Sequence, residues 1–326
     1  MKNQLNDELV AAIRNNVSDD INIANLLMDI LSMGKEAVYR RLRGDVPFTL
    51  EEAFLISSKL SISLDNTVNI KNSKHAFYDL DLDLNLNEQK NPLDHYCEKL
   101  EHCIRLFQKM HKSEDSKARL AINSLPYMFY LPYRHIAKFR LYRWIYQMQA
   151  TPNVGTYKDM VVPPKVSDTE KRFVAEHRYI SHTTFIMDQN VFKSFIGDVN
   201  YFYKLNLLSD IDVKLIKNEL MEMISELESI ATKGTQRTGT QVSIYISDID
   251  LESSYIHFEY GGSENSFLRV FSINIIDSQN LTICSIQKEW IDSLKRYSTL
   301  ISESGEMQRI RFFNQQRDLA LSMGNI

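Results

Sequence analysis

Apolar positions recur at helical spacing through the first sixty residues. Leu9, Val10 and Ile13 share one side of residues 7–16, which predicts a first helix. Ile23, Leu26, Leu27, Ile30 and Leu31 follow in steps of three and four and predict a second. Ser32-Met33-Gly34 interrupts that run, and a glycine enters the next element without a side-chain penalty. The third helix then buries Ala37, Val38, Leu42 and part of Tyr39. Lys35, Glu36, Arg40, Arg41 and Arg43 are left facing outward, and Gly44 closes the helix. Thr49 and Glu52 have capping-box spacing for a fourth helix, with Phe54, Leu55, Ser58 and Leu60 as its packing surface. Ser63-Leu64-Asp65 has the form of the start of a fifth.

The pattern changes at residues 69–91, which are polar and rich in Asn and Asp and read as a linker. Inside it, residues 79–86 alternate strictly between Asp or Asn and Leu, which predicts an edge or docking strand. Asp79, Asp81 and Asp83 have the early spacing of a calcium loop, but Leu84 and Lys90 occupy the positions that need glycine and glutamate. Helical patterns return at 92–111, from Pro132 to about Gln149, and over 168–179, 190–205 and 209–232. The period then becomes two: 241–248, 255–260, 267–277 and 281–284 predict four antiparallel strands joined by short turns. Helices at 287–302 and 306–323 close the chain, with Arg309 and Arg311 exposed or capturing an acidic group.

The stretch from Ile21 to Leu60 resembles the Cro/cI-like helix-turn-helix family, a five-helix DNA-binding bundle. The likeness rests on the apolar second helix, the short turn, the arginine-containing third helix ending in Gly44, and the sleeve from Thr49 to Asp65, TLEEAFLISSKLSISLD. Ser32 stands where the family has the glycine of its turn, and Met28 where it has a small residue. The resemblance implies that residues 35–43 form a recognition helix. Lys35, Glu36, Tyr39 and Arg40 would look into the major groove, with Arg41 and Arg43 beside the phosphates. The fold expected is multi-domain: an all-α helix-turn-helix bundle at 1–68, a linker at 69–91, and at 92–326 a larger α+β domain for dimerisation or sensing. That domain has a mainly antiparallel sheet and covering helices. Residues 92–326 resemble no family.

Charge narrows the DNA expectation to one face. The chain carries a formal net charge of −4. Residues 1–66 hold seven Lys and Arg against ten Asp and Glu, whereas residues 35–43 hold four against one. Attraction to phosphate is therefore local and salt-sensitive. Arginine on a groove-sized helix can pair bidentately with guanine while its neighbours hold the backbone.

Other chemistry is scarce. The aromatic stretch at 119–149 (Tyr127, Phe129, Tyr130, Tyr133, Phe139, Tyr142, Trp144 and Tyr146) has Arg134, Lys138, Arg140 and Arg143 interleaved. It reads as packing or a dimer interface with the cations on the wet side, ahead of a stacking platform for single strands. His95, His102 and His111 lie near Cys97 and Cys103 but not at ligand spacing, so no metal is expected. GTQRTGT at 234–240 lacks the Lys-Ser/Thr of a phosphate loop, and no nucleophile elbow or dinucleotide fingerprint occurs. Neither an enzyme nor a cofactor is expected. Three cysteines, no signal-peptide core and no long apolar run suit a cytoplasmic protein without a membrane partner. The sequence predicts a transcriptional regulator that binds double-stranded DNA as a homodimer, with an unidentified small-molecule or protein effector left open. The competing prediction is an interaction module tethered to an uncatalogued C-terminal enzyme or effector domain.

Overall fold

The computed structural model describes residues 4–17, 22–60, 62, 64, 79–81, 91–148, 155–271 and 274–325. The chain divides into two compact units, Met1–Phe77 and Tyr78–Ile326. Most of the expected linker, and Ser63 and Asp65 of the expected fifth helix, lie outside the described residues.

The smaller unit contains α1 (Gln4–Asn16), α2 (Ile23–Leu31), α3 (Lys35–Leu42) and α4 (Leu50–Leu60). Leu9, Ile13, Ala24, Leu27, Val38, Ile56 and Ile62 form its core. The Asn22 side chain caps α2 by accepting from the backbone N–H of Asn25. That helix ends at Ser32 in the left-handed conformation, φ 51°. Gly34, at φ −70°, is the N-cap of α3 and needs no glycine freedom. The capping box of α4 forms as expected: Thr49 N–H donates to Glu52, and Glu52 N–H to the Thr49 hydroxyl. Its packing face differs from the expected one. Phe54, Leu55 and Ser58 are exposed, because Glu52 turns inward and brings Ala53, Ile56 and Leu60 round with it.

The larger unit is built on a mixed eight-stranded sheet. Its strands are β1 (Asp79–Asp81), β2 (Lys117–Ile122), β3 (His182–Asp188), β4 (Gln241–Ser247), β5 (Tyr255–Tyr260), β6 (Ser263–Phe271), β7 (Asn274–Ser278) and β8 (Ser298–Leu300), in the order β1-β7-β6-β5-β2-β3-β4-β8. β2, β3 and β4 are mutually parallel and the other neighbours antiparallel. The helices are α5 (Pro92–His111), α6 (Tyr127–Tyr130), α7 (Arg134–Met148), α8 (Pro164–His177), α9 (Lys193–Lys204), α10 (Asp210–Lys233), α11 (Leu281–Leu294) and α12 (Glu306–Leu321). Successive side chains of β2 serve opposite faces of the sheet. Leu120 and Ile122 join the large core with Phe107, Phe139 and Phe185. Ala121 joins Ile186, Ile291 and Leu294 beneath α11.

Three strand expectations need correction. β2 and β3 fall where no strand was expected and form the parallel centre with β4. They also separate β4 from β5, which were expected to be neighbours. Residues 267–277 are not one strand but parts of β6 and β7. Residues 281–284 open a helix instead of forming a strand, since the Asn280 side chain accepts from the N–H groups of Thr282 and Ile283. Of the alternating stretch 79–86, Asp79–Asp81 form β1, an edge strand, and residues 82–86 lie outside the described residues. Arg309 is neither exposed nor paired with an acid: it is buried and donates to the carbonyls of Ile301, at 2.8 Å, and Ser304, at 3.1 Å.

Candidate functional site

The outer face of α3 carries most of the expected contact residues. Lys35, Glu36 and Arg40 are exposed, and Tyr39 is half-buried with the Lys35 ammonium 6.0 Å from its ring centre. Arg40 makes no ion pair among the described residues. Arg43 is exposed but engaged, 3.0 Å from Asp45 and 3.5 Å from Glu36. Gly44, at φ 77°, turns the chain away behind it.

Arg41 departs from the expected outward position. Its Nε and a terminal nitrogen donate to the two carboxylate oxygens of Glu52 at 2.7 and 2.6 Å, and its other terminal nitrogen to the Ala37 carbonyl at 3.3 Å. The hydrogen bond from Arg41 holds the Glu52 carboxyl below the usual carboxylate range. Asn6 of α1 extends the arrangement, donating to the Arg41 carbonyl and accepting from Phe48 N–H. The sequence contained one signal for this. Arg41 lies three residues after the fully buried Val38, and so on the inner side of α3.

In the larger unit the aromatic stretch is core. Tyr130, Phe139, Tyr142 and Trp144 are buried, and the Phe139 ring meets Phe195 and Phe202 edge-on. Arg140 turns inward among these rings, and Arg143 pairs with Asp198 at 3.1 Å. The polar cluster under α11 is internally matched. Glu259 lies 3.0 Å from both Arg119 and Lys288, and His257 lies 3.1 Å from Glu264. Such matched charges hold a helix on a sheet and leave no open valence for a ligand. No group of His, Cys, Asp and Glu able to hold a metal occurs among the described residues, and none of their helices is long and apolar enough to cross a membrane.

No family model matches the chain, and no curated protein or solved structure compared with it matches either.

Proposed function

We propose that the smaller unit is a DNA-reading helix-turn-helix and that the protein is a sequence-specific, dimeric transcriptional regulator. In this reading α3 enters the major groove. Its eight residues rise about 12 Å, comparable to the groove's width of about 12 Å. The observation that carries the reading is Arg40. It is exposed, unpaired among the described residues, and on the same helix as exposed Lys35 and Glu36, so its guanidinium is available for a base edge. Lys35, Glu36 and Tyr39 complete the base-facing set, and Arg43 serves a phosphate. Arg41 leaves the contact set and becomes the brace behind the helix. A helix this short reads few base pairs, so two copies on a two-fold operator supply the specificity. The larger unit then regulates.

Leu50 and Phe54 favour a second reading. They are 84% and 63% exposed on α4, an apolar surface that suits a protein partner and has no use in groove reading. The smaller unit would then be an interaction module tethered to an effector domain.

Selection of the full-length protein against random duplex DNA, beside Arg40→Ala, separates the two. The regulator reading expects an enriched inverted repeat that the variant loses. No enrichment at low salt would turn attention to the α4 surface.

A further inference from the structure

A cleft of about 860 Å³ runs between α7 and α8 of the larger unit, and Lys158 and residues 160–162 add to its wall. Its size falls in the range of small-molecule sites, roughly 300–1,000 Å³. The loop on that wall is tied down at three points. The Tyr142 hydroxyl donates to the Gly155 carbonyl at 2.8 Å, and Tyr157 N–H to the Leu207 carbonyl at 2.9 Å. The Tyr157 hydroxyl donates to the His135 carbonyl at 3.3 Å. The wall is thus built by the fold and needs little ordering to receive a ligand.

Two properties of the lining coincide. Its apolar part is aliphatic, with Leu131, Leu141, Met160, Val161, Val162 and Val174, and none of the described wall residues is aromatic. Val161 is 80% exposed. Its charged part is cationic: Arg134, Lys138, Lys158, Lys171 and Arg178 line the cleft, against Glu170 as the single acid among the described wall residues. Lys171 pairs with Asp168 at 3.2 Å, and the other four cations form no ion pair among the described residues. Arg134 and Lys138 are four apart on α7 and so neighbours on one face. The Lys138 ammonium lies 4.2 Å from the Tyr157 ring centre, beside the loop that carries Lys158. Asp212 and Asp159, the acids that act on Lys138, are already acceptors for Ser209 and Thr156. Glu170 is buried and accepts from the Tyr96 hydroxyl at 3.0 Å. Burial raises its carboxyl to about 7, so near neutral pH it opposes an anion only in part.

Solvated cations alone imply no ligand, and an aliphatic patch alone does not say what covers it. Joined in one concave site they define a molecule with an anionic head and an aliphatic body. The wall offers no ring on which a nucleobase could stack, and no glycine to bring backbone N–H groups onto a phosphate chain.

We infer that this cleft binds a small aliphatic carboxylate of the fatty-acid type. Lys138, with Arg134 and Lys158, holds the carboxylate, and Leu141, Val161, Val162 and Val174 cover the chain. The site lies wholly in the larger unit and its test involves no DNA, so it and the DNA reading fail separately.

The test is calorimetric titration of the full-length protein with hexanoate, octanoate and decanoate, each kept below its micelle threshold. Decanoate should bind saturably at one site per chain, and each two methylenes removed should weaken binding about tenfold. Octyltrimethylammonium, with the same chain as octanoate and the opposite charge, should bind at least about tenfold more weakly. Lys138→Met keeps the apolar stem and should weaken decanoate about tenfold. Val161→Asp changes an exposed position, so it keeps the test open should Lys138→Met fail to fold, and it should weaken decanoate at least as much. Absence of saturable binding, affinity that ignores chain length, or equal binding of the cationic amphiphile overturns the inference. So does unchanged decanoate binding in both variants. Binding to phosphatidylglycerol vesicles with none to dissolved decanoate overturns it too, since the cleft would then face a lipid surface.

Discussion

Arg41 and Glu52 meet as a two-pronged pair at 2.6 and 2.7 Å, and the same Glu52 accepts the Thr49 N–H that starts α4. One carboxylate thus braces α3 from behind and caps the next helix. Of neighbouring arginines on α3, one is committed to the fold and the other is left for a partner.

Arg41→Ala should therefore destabilise the smaller unit, whereas Arg40→Ala should not. Removing Arg41 strands a nearly buried carboxylate, a loss of about 3 kcal/mol, while Arg40→Ala changes an exposed position and should stay within about 0.5 kcal/mol. Amide hydrogen exchange across α2–α4 in the full chain reads this unit separately from the larger one. Equal protection in the two variants would show that the Glu52 pair is not a brace.

Ser32 supplies a second test. It holds φ 51° at the end of α2, a conformation a residue with a Cβ adopts at a cost and glycine freely. Ser32→Gly should stabilise the α2–α3 pair by about 1 kcal/mol, seen as slower exchange of their amides. A loss of protection would mean that the serine side chain contributes more than its backbone strain costs.

How far the sequence foretold these features depended on whether one period governed each segment. α1–α4 were legible because each buries a single stripe. Thr49 and Glu52 announced their capping box, and Ser209 likewise caps α10, with a reciprocal bond to Asp212. β2 and β3 were not legible. Strands covered on both faces lose the alternation that marks a half-buried strand, and LAI or FIM in isolation fits a helix equally well. Residues 281–284, LTIC, misled in the opposite sense: β-branched residues suggested a strand where the Asn280 cap dictates a helix. In the candidate site, Lys35, Glu36 and Arg40 face outward as expected, but the inward turn of Arg41 required knowing where Glu52 lies.

Glu170 and His177 lie seven residues apart on the inner side of α8, both buried, and their protonation should pull stability in opposite directions. Burial pushes the Glu170 carboxyl up to about 7, against the bond it accepts from Tyr96 at 3.0 Å. The fold then keeps a proton that the unfolded chain releases. Stability from this group is complete below the ordinary glutamate value and is lost as pH rises through about 7. Burial pushes His177 down to about 4, its ring against Phe107 and its Nε2 without a hydrogen-bond partner among the described residues. Its contribution is complete above the ordinary histidine value and is lost as pH falls through about 4. Each group is worth about 3 kcal/mol across its window. Between about pH 4.5 and 6.5 the two slopes oppose and nearly cancel. Urea titrations of the full chain across that range should therefore show little pH dependence from α8. Glu170→Gln should expose the histidine slope, with stability rising as pH rises, and His177→Phe the glutamate slope, with stability falling. If both variants kept the parental profile, neither group would titrate in the folded protein as its burial requires.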